Sequence, residues 1–344
     1  MRGRIKPGRA AGVLALVAVL IVVTLPVLMA QGSPSHGVDL RQAGHWIYQQ
    51  ALKAAFHVHG GSKQIDARIA LPGTHGGPVV QGDTHAYLVD GSTVVAFGMS
   101  TLTVDATYPT GIAEEPLPLE VPGGPYLVYP RAGAVIRLGL PLASIPVGGP
   151  VGSAVGTEDG TVWVHRADTG ALCYLARDAH RFRCVAYAPA GGGGALTIVD
   201  GLAGFFETAA GTLSILDIHG LGTPVRMLDG LPGGGAVATA DSAGRLAVLD
   251  PHNTVLHLAD TSWVDNPRPT AGAAVRVDLE AGRYQRPVAA GSAVAVLDLT
   301  RSRLLTFGSD GVRRGTVPVR APAERARLVP GADGRVYVDD GAGA

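Results

Sequence analysis

The chain has 344 residues, 47% hydrophobic and only 16% charged, with 28 Lys and Arg against 28 Asp and Glu. Its 49 glycines and 24 prolines make up about a fifth of the chain, where roughly 12% is ordinary, and this excludes a helical bundle or a coiled coil. Two cysteines exclude a disulfide scaffold or a multi-zinc protein, the balanced charge gives no reason to expect nucleic acid, and the apolar content is too high for a disordered chain.

Arg2, Arg4, Lys6 and Arg9 form a basic cluster with no acidic residue among them. Residues 10–30 (AAGVLALVAVLIVVTLPVLMA) then run without a charge. At about 1.5 Å per residue that helix spans roughly 30 Å, the hydrocarbon thickness of a bilayer. The expected reading is an uncleaved signal anchor, with residues 1–9 cytoplasmic and residues 31–344 extracytoplasmic. A cleaved signal peptide is the other reading. Its best site, Leu28-Met29-Ala30, places a poorly fitting Leu where a small residue belongs. Either way the cell membrane is the first expected partner and the rest of the chain is exported. That rest carries 24 basic and 28 acidic residues, an acidic balance that does not suit anionic lipid or nucleic acid. Residues 31–44, with Gly, Ser and Pro, read as a linker.

From residue 45 onward a repeat appears. AYLVD (86–90), PYLVY (125–129), TVWVH (161–165), GFFE (204–207), RLAVLD (245–250), AVAVLD (293–298) and RVYVD (335–339) end at intervals of 36 to 48 residues. This is the length of one blade of a β-propeller. Each period divides into four short strands with Gly, Asp and Asn turns, and Asp-Gly pairs recur at 90, 159, 200, 229, 310, 333 and 340. The second strand of each unit tends to be continuously apolar, as a strand covered on both faces should be. The expected fold is all-β: a seven-bladed β-propeller of four-stranded antiparallel blades over residues 45–344. Its last blade would be closed by residues 45–71 with 326–344, which removes an open edge. A chain cut from a longer parent is the competing reading of the C-terminus.

The units GRLAVLDPHNTVLHLAD (244–260), DGTVWV (159–164) and DGRVYV (333–338) resemble the surface-layer and NHL-like repeat propellers. The order of GHWIYQQALKAAFHVHGGSKQIDA (44–67) before GGPYLVYPRAGAVIRL (123–138) resembles a group of actinobacterial signal-anchored propeller proteins. The resemblance implies an anchored ectodomain with no agreed activity. Longer members often carry a fibronectin type III domain, and this sequence has no such segment.

Cys173 and Cys184 fall in adjacent expected strands. A four-residue loop, Arg177–His180, sets them directly opposite, so a cross-strand disulfide is expected in the exported compartment, and two buried thiols are the alternative. No G-x-S-x-G, P-loop, H-E-x-x-H or EF-hand pattern is present, so no cofactor is expected. His57 and His59 lie two apart on one strand face and could chelate Zn²⁺ with His75 or His85, or simply face solvent. Asp90, Glu207, Asp250, Asp298 and Asp339 end the second strands of five units, with Tyr129 and His165 at the equivalent point of the other two. They read either as a carboxylate-lined mouth for a cation or basic peptide, or as residues that cap their own turns. Trp46, Trp163 and Trp263, with Tyr48, Tyr126 and Tyr129, could form a sugar-binding surface or could pack between blades. Trp263, in the inserted loop Asp260–Thr270, reads as a recognition aromatic, with pinning of the loop to a neighbouring blade as the competing reading.

These residues point to a membrane-anchored propeller that binds or scaffolds an envelope protein or a small ligand. The alternative is a propeller hydrolase or lactonase with a metal or carboxylate site at the central mouth.

Overall fold

The computed structural model describes residues 44–73, 76–188, 193–265, 271–319, 326–331 and 333–339. The expected anchor at 10–30 and the linker up to residue 43 lie outside the described residues, and Gly44, expected to end the linker, begins a strand. Among those described, no helix is long and apolar enough to cross a membrane.

Short strands fold back on one another wherever the sequence places a tight turn. Asp200 and Gly201 both take positive φ, 47° and 72°, and join Val199 directly to Leu202 as a type I′ hairpin. Ala243 and Gly244 do the same between Ser242 and Arg245. Four-stranded antiparallel meanders result, each an up-and-down sheet in chain order. The second strands His85–Asp90, Arg245–Asp250 and Ala293–Asp298 are buried at every position but the first. The fourth strands Val104–Pro109 and Arg313–Pro318 are mostly exposed, as the outer rim of a blade should be. Apolar clusters sit between successive sheets. The largest joins Phe206, Leu246, Leu256, Val294 and Phe307 from three successive meanders. The molecule is therefore an all-β propeller.

The blade count departs from expectation. Among the described residues five sheets have four strands or more, so seven uniform blades are not present. One of the five has nine strands, because Gly194–Val199 and Ala236–Ser242 meet through a parallel bridge between Ile198 and Ala240. A register shift between Val237 and Asp241 accompanies that fusion. The ends supply a three-stranded sheet (Gly44–Gln49, Ala54–His59, Gln64–Ala70) and a two-stranded one (Arg327–Pro330, Val336–Asp339). These two share no hydrogen-bonded ladder among the described residues, so the expected joint closing blade is corrected as well. They meet by packing instead. The rings of His45 and Tyr337 lie 5.5 Å apart. The side-chain ends of Asp333, Arg335 and Tyr337 lie where a Cβ of Gly60 would stand, so the chain approaches closely there.

Strand Gly44–Gln49 was not expected. Its residues Trp46, Ile47 and Tyr48 suit a strand. Trp46 is fully buried, edge-on to Phe97 of the next sheet at 5.2 Å.

Candidate functional site

Each second strand ends at a turn, and this sets the chemistry of the strand-end carboxylates. Asp250 Oδ1 accepts the backbone N–H groups of His252 and Asn253 at 2.9 and 3.1 Å, and its Oδ2 accepts Asn253 Nδ2 at 2.7 Å. Asp298 Oδ1 accepts the N–H groups of Thr300 and Arg301, both at 3.0 Å. Its Oδ2 is held by Arg303 Nε at 2.9 Å and Arg301 at 3.3 Å, and the side chain is fully buried. Asp90 Oδ1 accepts the N–H of Gly76 at 2.9 Å. Burial would raise the pKa of Asp250 and Asp298, but these donors outweigh it and hold both below the usual carboxylate value. At these three positions the geometry is that of structural caps, not of a mouth that shares a cation. Asp339 is half-buried, and its backbone lies in register opposite Arg327.

Glu207 differs. It ends strand Leu202–Glu207 half-buried, and its side-chain carboxylate has no hydrogen-bond or ion-pair partner among the described residues. It lines a groove of about 270 Å³ with Phe205, Thr212, Ser214, Leu221 and Pro224. A carboxylate, two hydroxyls and an aromatic ring converge there, the arrangement that holds a cationic or hydroxyl-bearing ligand. On the neighbouring sheet His165 packs edge-on to Phe205 at 5.1 Å, and burial lowers its pKa, so its imidazole is neutral. Glu207 was legible in the sequence. Thr212, Ser214 and Leu221 were not, because only the fold of Thr212–Asp217 and Gly220–Leu221 brings them to the groove.

Among the described residues the histidines do not assemble into a metal centre. His57 is fully buried, and its Nδ1 lies 2.5 Å from Asp66 Oδ1. His59 Nδ1 instead accepts the N–H of Ser62 at 3.1 Å. His85 uses both ring nitrogens, one toward Thr84 at 2.8 Å and one toward Asp105 at 3.1 Å, and His75 lies outside the described residues. Among the described residues no group of three or more His, Cys, Asp and Glu side chains is placed to hold a metal ion.

Of the two readings of the aromatic residues, packing is the one that the structure shows. Trp46, Tyr48, Tyr126, Tyr129, Trp163 and Trp263 are all buried. Trp263 is a core residue, not an exposed recognition element. Its ring fills space between sheets because the loop that carries it turns inward at Thr261–Val264. Residues 266–270 of that loop lie outside the described residues.

Cys173 and Cys184 are register partners and are joined as a disulfide. A bulge between Leu172 and Cys173 shifts the ladder beyond them, which the simple loop count did not anticipate.

The fold and these surfaces define a β-propeller protein. No family model matches the chain, and no curated protein matches its sequence. Similar solved structures include a virginiamycin B lyase from Staphylococcus aureus, at TM-score 0.58 and 10% identity, covering 78% of this chain and 92% of that one. BamB from Moraxella catarrhalis is similar at TM-score 0.55 and 15% identity, over 89% of this chain and 98% of that one. Hsv2 of Kluyveromyces lactis is similar at TM-score 0.58 and 10% identity, over 82% and 98%. At these identities the likeness concerns the fold alone.

Proposed function

We propose that the chain is a membrane-anchored, extracytoplasmic β-propeller that serves as a protein- or ligand-binding and scaffolding module at the cell envelope. The observation that carries this is the order of segments: a basic cluster, 21 uncharged residues from Ala10 to Ala30, then a propeller. The resemblance of residues 44–67 and 123–138 to signal-anchored propeller proteins supports the same reading. The Glu207 groove supplies a surface that could take a ligand.

Two measurements test it. The chain, tagged at its C-terminus, is exposed to protease on intact cells, and the tag should be digested only if residues 31–344 are outside. The same cells are then crosslinked, solubilised in detergent and analysed by mass spectrometry. One envelope protein that co-purifies with wild type and is lost with Glu207→Arg is the expected result. A protected tag overturns the anchor and its orientation. A membrane-retained, folded protein that captures nothing overturns the scaffold.

A further inference from the structure

The hairpin that joins Ala171–Leu175 to Arg183–Tyr187 has the sequence ARDAHRFR over residues 176–183. It places Arg177, His180, Arg181 and Arg183 within seven residues against the single acid Asp178, in an exported segment whose overall balance is acidic. A groove of about 450 Å³ opens here, lined by Tyr174, Ala176, Ala179, His180, Arg181 and Arg183. That volume falls in the range of ligand pockets. No carboxylate lines it. His180, Arg181 and Arg183 are exposed and have no hydrogen-bond or ion-pair partner among the described residues.

The cations are held on a braced element. Arg137 of the preceding sheet donates Nη2 to the carbonyl of Ala179 at 2.7 Å and Nε to Tyr126 Oη at 3.1 Å. Phe182 packs against the core cluster of Tyr126, Val162 and Leu175, so the residues on either side of it, Arg181 and Arg183, are left to the groove. The Cys173–Cys184 disulfide ties the base of the hairpin, and Arg183 pairs in register with Tyr174, whose ring packs on Trp163 at 5.2 Å. The braced hairpin fixes where the arginines leave the backbone, and the planar guanidinium fork matches a carboxylate.

We infer that this groove binds an acidic peptide segment of a partner protein. This deepens the binding-module reading and rests on it. Arg181 and Arg183 take side-chain carboxylates, while Tyr174, Ala176 and Ala179 form an apolar floor for the peptide's hydrocarbon parts. A peptide fits better than an anionic bilayer. The net acidic balance of residues 31–344 disfavours a broad negative plane, whereas a narrow chain can enter one positive concavity.

The test uses the full-length chain in neutral detergent. It is titrated with a fluorescein-labelled peptide of alternating Glu and Ser, with the matching Gln and Ser peptide, and with phosphatidylglycerol vesicles. The Glu peptide should raise anisotropy, with affinity falling as salt is increased from low to physiological strength. The double variant Arg181→Glu/Arg183→Glu should weaken it by at least about tenfold, and Arg181→Lys/Arg183→Lys should fall between. Circular dichroism checks that each variant is folded, and the salt dependence is read on wild type alone. The inference is overturned by no binding of the Glu peptide below about 1 mM, by equal binding of the Gln peptide, or by an unchanged affinity in the charge-reversed variant. It is also overturned if only the vesicles bind in an Arg181- and Arg183-dependent way. Capture of an envelope protein by the charge-reversed variant as well as by wild type would sink this inference and leave the binding-module reading standing.

Discussion

Trp263 points its indole N–H at the sulfur of Met227, 3.1 Å away, and both side chains are buried although 36 residues separate them in sequence. The contact fastens the loop after Val255–Asp260 to the segment that follows the neighbouring meander. Trp263→Ala should therefore cost about 3–5 kcal/mol in urea denaturation followed by circular dichroism. Trp263→Phe keeps most of the ring burial and should cost less, losing chiefly the sulfur contact, roughly 1 kcal/mol. A loss below about 1 kcal/mol for the alanine variant would show that the loop is not pinned by this ring.

Asp298 makes the stability of its sheet depend on pH. Its folded pKa lies below the ordinary 3.8 because donors from Arg303 and Arg301 outweigh the penalty of burial. A depressed carboxylate contributes its full stabilisation above the unfolded value and loses it as pH falls through the folded one. Asp298→Ala removes one partner of a buried charge pair and should cost about 3–5 kcal/mol at pH 6. The gap between wild type and variant should shrink as pH is lowered from about 4 toward 2. A gap that stays constant over that range would mean that the charge contributes nothing.

The repeat was legible because each blade repeats one physical problem, a strand buried on both faces that must end in a tight turn. RLAVLD and AVAVLD state it in six residues, and both are buried strands in the structure. The blade count was not legible. Period counts apolar runs, whereas sheet membership depends on ladder contacts such as Ile198 with Ala240, which leave no mark in composition. The carboxylates show the same limit. Asp at a strand end reads equally as a ligand or as a cap, and only the positions of the N–H groups of His252, Thr300 and Arg301 decide for Asp250 and Asp298. Trp263 was misjudged because its loop is rich in polar residues and Pro, which hides an inward turn. Arg181 and Arg183 matter only through the hairpin that lines them up beside Tyr174.

The disulfide closes a short loop, with a sequence separation of 11 residues. On the chain-entropy account it should contribute about 3 kcal/mol or somewhat less. Dithiothreitol should lower the melting temperature of wild type and leave that of Cys173→Ala/Cys184→Ala unchanged. The reduced wild type should also bind the acidic peptide more weakly, because the hairpin that carries Arg181 and Arg183 is then less constrained. An equal response of both proteins to reductant would show that the bridge does not form in the protein.

His45 sits where the N-terminal three-stranded sheet packs on the C-terminal hairpin, its ring 5.5 Å from that of Tyr337. Burial, helped by the nearby His57 and opposed by Asp333, lowers its pKa to about 4. A histidine with a depressed folded value favours the fold while neutral. Stability should therefore fall as pH drops below the unfolded value of 6.5, and go on falling to about 4. The accumulated loss at that point is roughly 3 kcal/mol. His45→Phe keeps an aromatic ring against Tyr337 and cannot take a proton, so its stability profile should be flatter between pH 6.5 and 4. Proton NMR of the His45 imidazole should show the neutral form persisting until about pH 4. A midpoint near 6.5 would mean that water reaches the ring and that the two terminal sheets do not close over it.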